Sequence, residues 1–234
     1  MNQSAMVKSR VSPWLISLVD PLARYIVIPF MFGKIKVSGQ ENIPTSGPVI
    51  VAPTHRSRWD ALIVPYSTGK FVSGRDLHFM VTSSEVKGLQ GWFIKRLGGF
   101  PVNVERPELG SLRHSVQLLL EQKMMVIFPE GGIFRDDKKV HKLKRGVARI
   151  ALEAEAESPG IGVKILPMSI KYSQLYPSIG TQIEVKIGTP LNVADYKTES
   201  LKKSSVALRQ DLETTLKQLY EVKDESVEIV SNSA

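Results

Sequence analysis

The sequence contains no cysteine. That one absence removes a disulfide framework, a thiolate nucleophile and any cysteine-ligated metal. Other chemistries are missing by motif. There is no G-x-S-x-G elbow to carry a serine nucleophile, and no G-x-x-x-x-G-K-S/T loop to cradle a nucleotide phosphate. Gly160-Ile161-Gly162 lacks the third glycine of a dinucleotide fingerprint. No H-E-x-x-H occurs, and the four histidines (55, 78, 114 and 141) are scattered, so no metal site is expected. His78 lies in an apolar run and His114 on an amphipathic helix, and both read as packing or surface residues. The chain is also short of acid. Against 31 Lys+Arg stand 23 Asp+Glu, a formal charge of +8. Such an excess suits a phosphate-rich partner: nucleic acid, an anionic membrane or a phosphorylated substrate. Aromatics are not interleaved with the basic residues and no nucleic-acid motif is present, so no nucleic-acid partner is expected.

Long uninterrupted apolar runs are lacking too. Residues 11–32 come nearest, with Trp14, Leu15, Leu18, Leu22, Tyr25, Ile26, Phe30 and Phe32, but Asp20, Arg24 and three prolines (13, 21 and 29) interrupt them. A clean membrane span wants about 20 apolar residues, and a secretory signal would be shorter and end in small residues. The stretch reads either as an interfacial helix or broken helical pair, its apolar face in lipid and Arg24 snorkelling, or as a helix packed on the core.

What the 234 residues do contain is an alternation of strands and helices. Strands are expected at 34–37, 49–52, 77–81, 100–104, 124–128, 163–170 and 183–187. Helices are expected near 57–67, in part of 84–97, and at 110–122, 143–157 and 200–222. The runs 49–52 and 124–128 are apolar throughout, as strands buried on both faces are. Alternation of this kind argues for one α/β domain with a largely parallel or mixed central sheet flanked by helices. The expected division is a tail and membrane-associating helical segment at 1–32, a catalytic domain at 33–222 and a polar tail at 223–234.

Two junctions carry candidate chemistry. After the strand at 49–52 comes Thr54-His55-Arg56-Ser57-Arg58-Trp59-Asp60, with Pro53 expected to break the strand and a helix to open near Ser57. A histidine and a carboxylate with four residues between them thus share a loop-to-helix corner. Asp60 can fix the tautomer and orientation of His55, as a general base requires. The plainer alternative is a surface histidine and a first-turn acid favoured by the helix dipole. After the run 124–128 comes Phe128-Pro129-Glu130-Gly131-Gly132-Ile133-Phe134-Arg135, at the carboxyl edge of a sheet, where open α/β folds bind ligands. Glu130 can hold a hydroxyl or a cation, and Arg135 suits bidentate phosphate binding. The plainer alternative is a glycine turn with solvated charges. Lys138, Lys139, His141, Lys142, Lys144, Arg145 and Arg149 then form a basic group that is either a solvated face or an anion site. Arg96 and Arg106, bracketing the strand at 100–104, are further phosphate candidates.

With H-x-x-x-x-D at His55–Asp60 and F-P-E-G at Phe128–Gly131, the chain resembles the glycerolipid acyltransferases, most closely the 1-acylglycerol-3-phosphate (lysophosphatidate) acyltransferases. Two further blocks fall in the family's order. One is the arginine-ending Gly99-Phe100-Pro101-Val102-Asn103-Val104-Glu105-Arg106, and the other the apolar-proline Ile165-Leu166-Pro167-Met168-Ser169-Ile170. Lys144–Ala151 looks like the family's helix after the glycine turn, and the resemblance covers roughly residues 35–190. The chain departs where the family commonly has Thr-Arg after F-P-E-G, since Gly132-Ile133 stand there. The phosphate-binding arginine must then be Arg135, two places on, or another residue.

The resemblance implies transfer of a fatty acyl group from a thioester to the free hydroxyl of lysophosphatidate. His55 would act as base and Asp60 as its orienting partner, with Glu130, Gly131, Arg106, Arg135 and Arg96 as acceptor-site residues. It implies no cofactor beyond the co-substrate, acyl-CoA or an acyl carrier protein thioester. The expected partners are membrane lipids, and the expected location is peripheral or monotopic on the cytoplasmic face of a membrane. Direct attack follows from the missing nucleophiles. The alternatives are a related enzyme acting on glycerol 3-phosphate or another lysophospholipid, and a non-catalytic basic protein that binds membrane or nucleic acid.

Overall fold

The computed structural model describes residues 9–103, 109–136 and 139–221. The chain opens with α1 (Pro13–Leu22), a π-helical turn (Ala23–Val27) and α2 (Ile28–Met31). These run together as one helix, Pro13–Met31, long and apolar enough to cross a membrane by length and composition. Of the alternatives for this stretch, the broken helical pair does not occur. Pro13 opens the helix, where its missing N–H costs nothing. The wide turn lies between Pro21 and Pro29 and absorbs their missing donors and ring bulk. Arg24 does not snorkel outward. It donates to the Tyr66 carbonyl and lies over the Tyr66 and Phe71 rings at 4.4 and 5.3 Å. An arginine satisfied by carbonyl and aromatic faces holds this helix against the domain. The opposite face, with Trp14, Leu18, Tyr25, Ile26 and Phe30, is exposed.

Then follow β1 (Phe32–Ser38), β2 (Val49–Pro53), α3 (Asp60–Thr68), α4 (Lys70–Ser73), β3 (Leu77–Thr82), α5 (Gly88–Arg96) and β4 (Gly99–Val102). The remainder is α6 (Leu109–Leu120), β5 (Met124–Val126), α7 (Gly146–Glu157), β6 (Lys164–Tyr172), β7 (Thr181–Ile187), β8 (Leu191–Asn192) and α8 (Leu201–Glu221). They form an α/β domain around one sheet of order β1-β7-β6-β2-β5-β3-β4, with β8 beside β6. The sheet is mixed. Among the described strands of the sheet, the β6–β7 and β6–β8 pairings are antiparallel and the rest parallel. Pro53 does not break β2 but closes it, paired with Met168. Pro101 lies in edge strand β4, where its missing donor is tolerated.

The period of two decides the layers. Ile50, Ala52, Met125 and Ile127 face α6, α7 and α8, where they meet Leu119, Ile150 and Leu212. Val49, Val51, Met124 and Val126 face the other way, onto Ile28 and Phe32 and onto Ile63 and Val64 of α3. Both sets are 0–6% exposed, so the apolar runs read as buried on both faces are so up to Ile127, while β5 ends at Val126 and Phe128 is half-buried. At the rim of this core, His78 and His114 are inward packing residues that share Ser9, whose Oγ lies 2.8 Å from His78 Nδ1 and 2.9 Å from His114 Nε2. Burial, then the neighbouring His114 and Lys123, hold His78 down to about 4 from 6.5. The unfolded chain therefore binds the extra proton first. Stability is full above pH 6.5 and falls as pH drops toward 4, by about 3 kcal/mol from this residue. Urea midpoints across that window should slope less in His78→Gln than in the parent; equal slopes would remove His78 as the cause.

Candidate active site

Three adjacent parallel strands, β6, β2 and β5, end at the same sheet edge. The chain leaves β2 into His55, leaves β5 into Phe128–Gly132 and finishes β6 at Tyr172. Residues far apart in sequence meet there because strand order, not sequence distance, sets who shares an edge.

His55 Nδ1 lies 2.8 Å from Asp60 Oδ2. Asp60 is the first residue of α3 and fully buried. Its Oδ2 also accepts the backbone N–H groups of Arg56 (2.7 Å) and Ser57 (2.9 Å), while Oδ1 accepts the Tyr172 hydroxyl at 2.7 Å. A carboxylate oxygen that already faces two amide donors accepts, so in the neutral imidazole Nδ1 carries the hydrogen. That leaves the Nε2 lone pair for a proton. The ring is stacked on Phe128, with centroids 3.9 Å apart, and its side chain is 18% exposed. Burial, then the Asp60 charge, push the Tyr172 hydroxyl well above its ordinary range, so it is a permanent donor.

Glu130 is turned inward rather than toward a substrate, and is 1% exposed. It accepts from His55 N (3.1 Å), His141 N (2.9 Å) and the Arg56 guanidinium (2.9 Å). Arg56, 5% exposed, also donates to the carbonyls of His55 and Lys139 and lies over the Tyr220 ring. Phe134 N donates to the same His55 carbonyl. The glycine turn and the histidine loop are thus bound to each other through one buried ion pair.

A cavity of about 890 Å³ opens beside the imidazole. Its walls are apolar where they come from α1 (Ile16, Val19), α3 (Leu62) and β3 (Leu77, Phe79), and polar where His55, Gly131, Gly132, Lys144, Arg145 and Arg149 meet it. Gly131 has φ 75°, and a Cβ there would stand 3.0 Å from the Lys144 side chain, so glycine is needed for both the backbone and the close approach. Arg58 also lines the cavity but is paired with Glu85 at 2.6 Å. Of the expected acceptor residues, Gly131 is on the wall. Arg135 lies 5.3 Å over the Tyr176 ring, and Arg96 lies 4.4 Å over Trp92. Neither lines the cavity. Arg106 falls outside the described residues. Within the basic group, Lys144, Arg145 and Arg149 reach the wall, which helical spacing alone could not single out. Arg56 and Tyr172 had no signal in the sequence.

A sequence model described as Acyltransferase matches residues 34–171, more than half of the chain. A 1-acyl-sn-glycerol-3-phosphate acyltransferase of Bacillus subtilis (strain 168) is 28% identical over 200 residues, covering 82% of this chain and 92% of that one. Another of that name, from Streptococcus pneumoniae (strain ATCC BAA-255 / R6), is 24% identical over 153 residues, 64% of this chain and 52% of its own. Among solved structures, the 1-acyl-sn-glycerophosphate (LPA) acyltransferase PlsC from Thermotoga maritima superposes with a TM-score of 0.65, covering 90% of this chain and 81% of that one. At 20% identity that likeness speaks for a shared fold.

Proposed function

Since the chain belongs to the Acyltransferase family and is an acyltransferase, we propose that it moves a fatty acyl group from a thioester to the free hydroxyl of lysophosphatidate, giving phosphatidate. The observation that carries this reading is the oriented imidazole at the wall of a largely apolar cavity that Lys144 and Arg145 also line. His55 Nε2 takes the hydroxyl proton as the oxygen attacks the thioester carbonyl. Asp60 balances the imidazolium, which returns the proton to the departing thiolate. The amides of Ser57, Trp59, Asp60 and Gly131 are already engaged, which leaves those of Arg58 and Gly132 as the oxyanion donors in this reading. The cavity volume falls in the range of ~300–1,000 Å³ that encloses whole ligands, and its apolar walls suit an acyl chain. No cofactor is needed beyond the thioester, of coenzyme A or acyl carrier protein.

Lys144 and Arg145 take the acceptor phosphate in this reading, in the place of the family arginine that Gly132-Ile133 lack. Lys144→Met should raise KM for lysophosphatidate about 10–100-fold, the worth of one charge-assisted hydrogen bond. It should leave KM for the thioester near its parent value. Titration of each substrate in turn checks this, and an unchanged acceptor KM would remove Lys144 from the site. A panel of lysophosphatidate, glycerol 3-phosphate and headgroup-bearing lysophospholipids tests the acceptor, with fastest turnover expected for lysophosphatidate.

The exposed apolar face of Pro13–Met31 is the membrane-associating surface in this account, on the cytoplasmic side. Leu89, Trp92 and Phe93 of α5 are exposed as well, and the Val11–Leu97 bridge ties that helix to the same end.

A further inference from the structure

The mechanism above uses His55 and Asp60 and leaves one partner of the couple without a role. Asp60 Oδ2 is shared by His55 Nδ1 and two backbone amides, which leaves Oδ1 of this fully buried carboxylate to a different partner. The group that meets it there is the Tyr172 hydroxyl at 2.7 Å. Among the described residues, no other side chain besides His55 bonds to this carboxylate. Tyr172 closes β6, next to β2 in the sheet, and its ring rests on Phe32 at 6.2 Å between centroids. It does not line the cavity.

We infer that Tyr172 is a positioning residue for acyl transfer, its hydroxyl fixing the rotamer of Asp60 and drawing charge from the carboxylate that faces the imidazole. Two consequences follow from the geometry. Without the hydroxyl, Oδ1 is buried with no donor, so the carboxylate turns toward any donor it can reach and the His55 ring loses its fixed direction. The charge that Tyr172 withdrew also returns to Oδ2 and binds the imidazolium more tightly, so His55 is in its proton-accepting form over a narrower range at low pH. The other charged groups around the couple do not supply this effect. Arg56 and Glu130 neutralise one another beneath the loop, and Arg58 is paired with Glu85. Lys144 and Arg145 from the segment entering α7, Asp20 from α1 and Arg24 from the π-helical turn reach the cavity but make no bond to Asp60. Burial holds the Tyr172 hydroxyl in its protonated form across the working range, so it donates at every pH of interest.

This inference rests on the acyl-transfer reading, and the experiment separates the two. Steady-state rates with an acyl thioester and lysophosphatidate are measured across pH for the parent, Tyr172→Phe, Asp60→Asn, the double variant and His55→Ala. Tyr172→Phe should lose about tenfold in kcat with both KM values within about twofold of the parent. The acid limb of its rate profile should move up by roughly 0.5–1 pH unit, part of the worth of one charge-assisted hydrogen bond. In the Asp60→Asn background the same change should add nothing, since its effect runs through the carboxylate. Replacing Tyr172 by 3-fluorotyrosine keeps the ring and strengthens the donor, so the acid limb should move down instead, which covers the case in which the phenylalanine variant does not fold. Parent-like kcat and profile in Tyr172→Phe, or a fluorotyrosine limb that does not move down, overturns the inference while an inactive His55→Ala leaves acyl transfer standing. An active His55→Ala overturns the acyl-transfer reading itself.

Discussion

His55→Ala should lose about 10²–10⁴-fold in turnover, the contribution of a positioned general base, and should keep its fold. The size follows from what the ring is given. Its Nδ1 is occupied by a carboxylate that is itself fully buried and held by two backbone amides and a tyrosine, so orientation and tautomer are fixed before substrate arrives. Phe128 stacked at 3.9 Å stops rotation from the other side. The loop around the ring is held by main-chain bonds from His55 N to Glu130 and from Phe134 N to His55 O. Those bonds do not involve the imidazole, so alanine leaves them in place. Circular dichroism and a melting curve close to those of the parent should therefore accompany the loss of activity. KM values near the parent would show that the deficit lies in the chemical step.

Arg56→Ala should be costly in a different way, destabilising the protein by about 3–5 kcal/mol. Glu130 would be left in a site 1% exposed to solvent with only the two amides of His55 and His141 to answer it. The guanidinium also carries the carbonyls of His55 and Lys139 and stacks on Tyr220 of α8, so its loss loosens the histidine loop and the glycine turn together. Denaturant midpoints report the stability loss, and a fall in kcat in the surviving folded fraction reports the loosened loop. Glu130→Gln should be milder, because an amide oxygen still accepts from the same main-chain groups. A loss under about 1 kcal/mol for Arg56→Ala would mean that this pair behaves as a surface ion pair, against its burial.

The readable parts of this fold were those where one physical rule acted alone. The apolar run at 124–128 announces a strand buried on both faces, and Val49–Ala52 does the same. His55 and Asp60 were legible because a short spacing at a strand-to-helix junction leaves the two side chains little choice. Glu130 was legible as a residue of the site but not in its role. Whether a carboxylate turns to substrate or to a neighbouring arginine depends on Arg56, which sits on a different loop and meets it only after β2 and β5 pair. Tyr172 was illegible for a related reason, since its link to Asp60 spans 112 positions and exists only because β6 lies beside β2. The α1–α2 helix resisted reading because each of its prolines argues for a break, and the wide turn that accommodates them is a tertiary outcome. The cations facing the cavity were lost among their neighbours because period alone does not say which face of a basic stretch meets a cavity whose other walls are distant in sequence.

The most direct measurement gives purified protein a long-chain acyl thioester and lysophosphatidate and identifies the lipid product by mass spectrometry, with His55→Ala in parallel. Phosphatidate from the parent and none above background from the variant is the expected result. Phosphatidate formed equally well by both proteins would contradict the account at its centre.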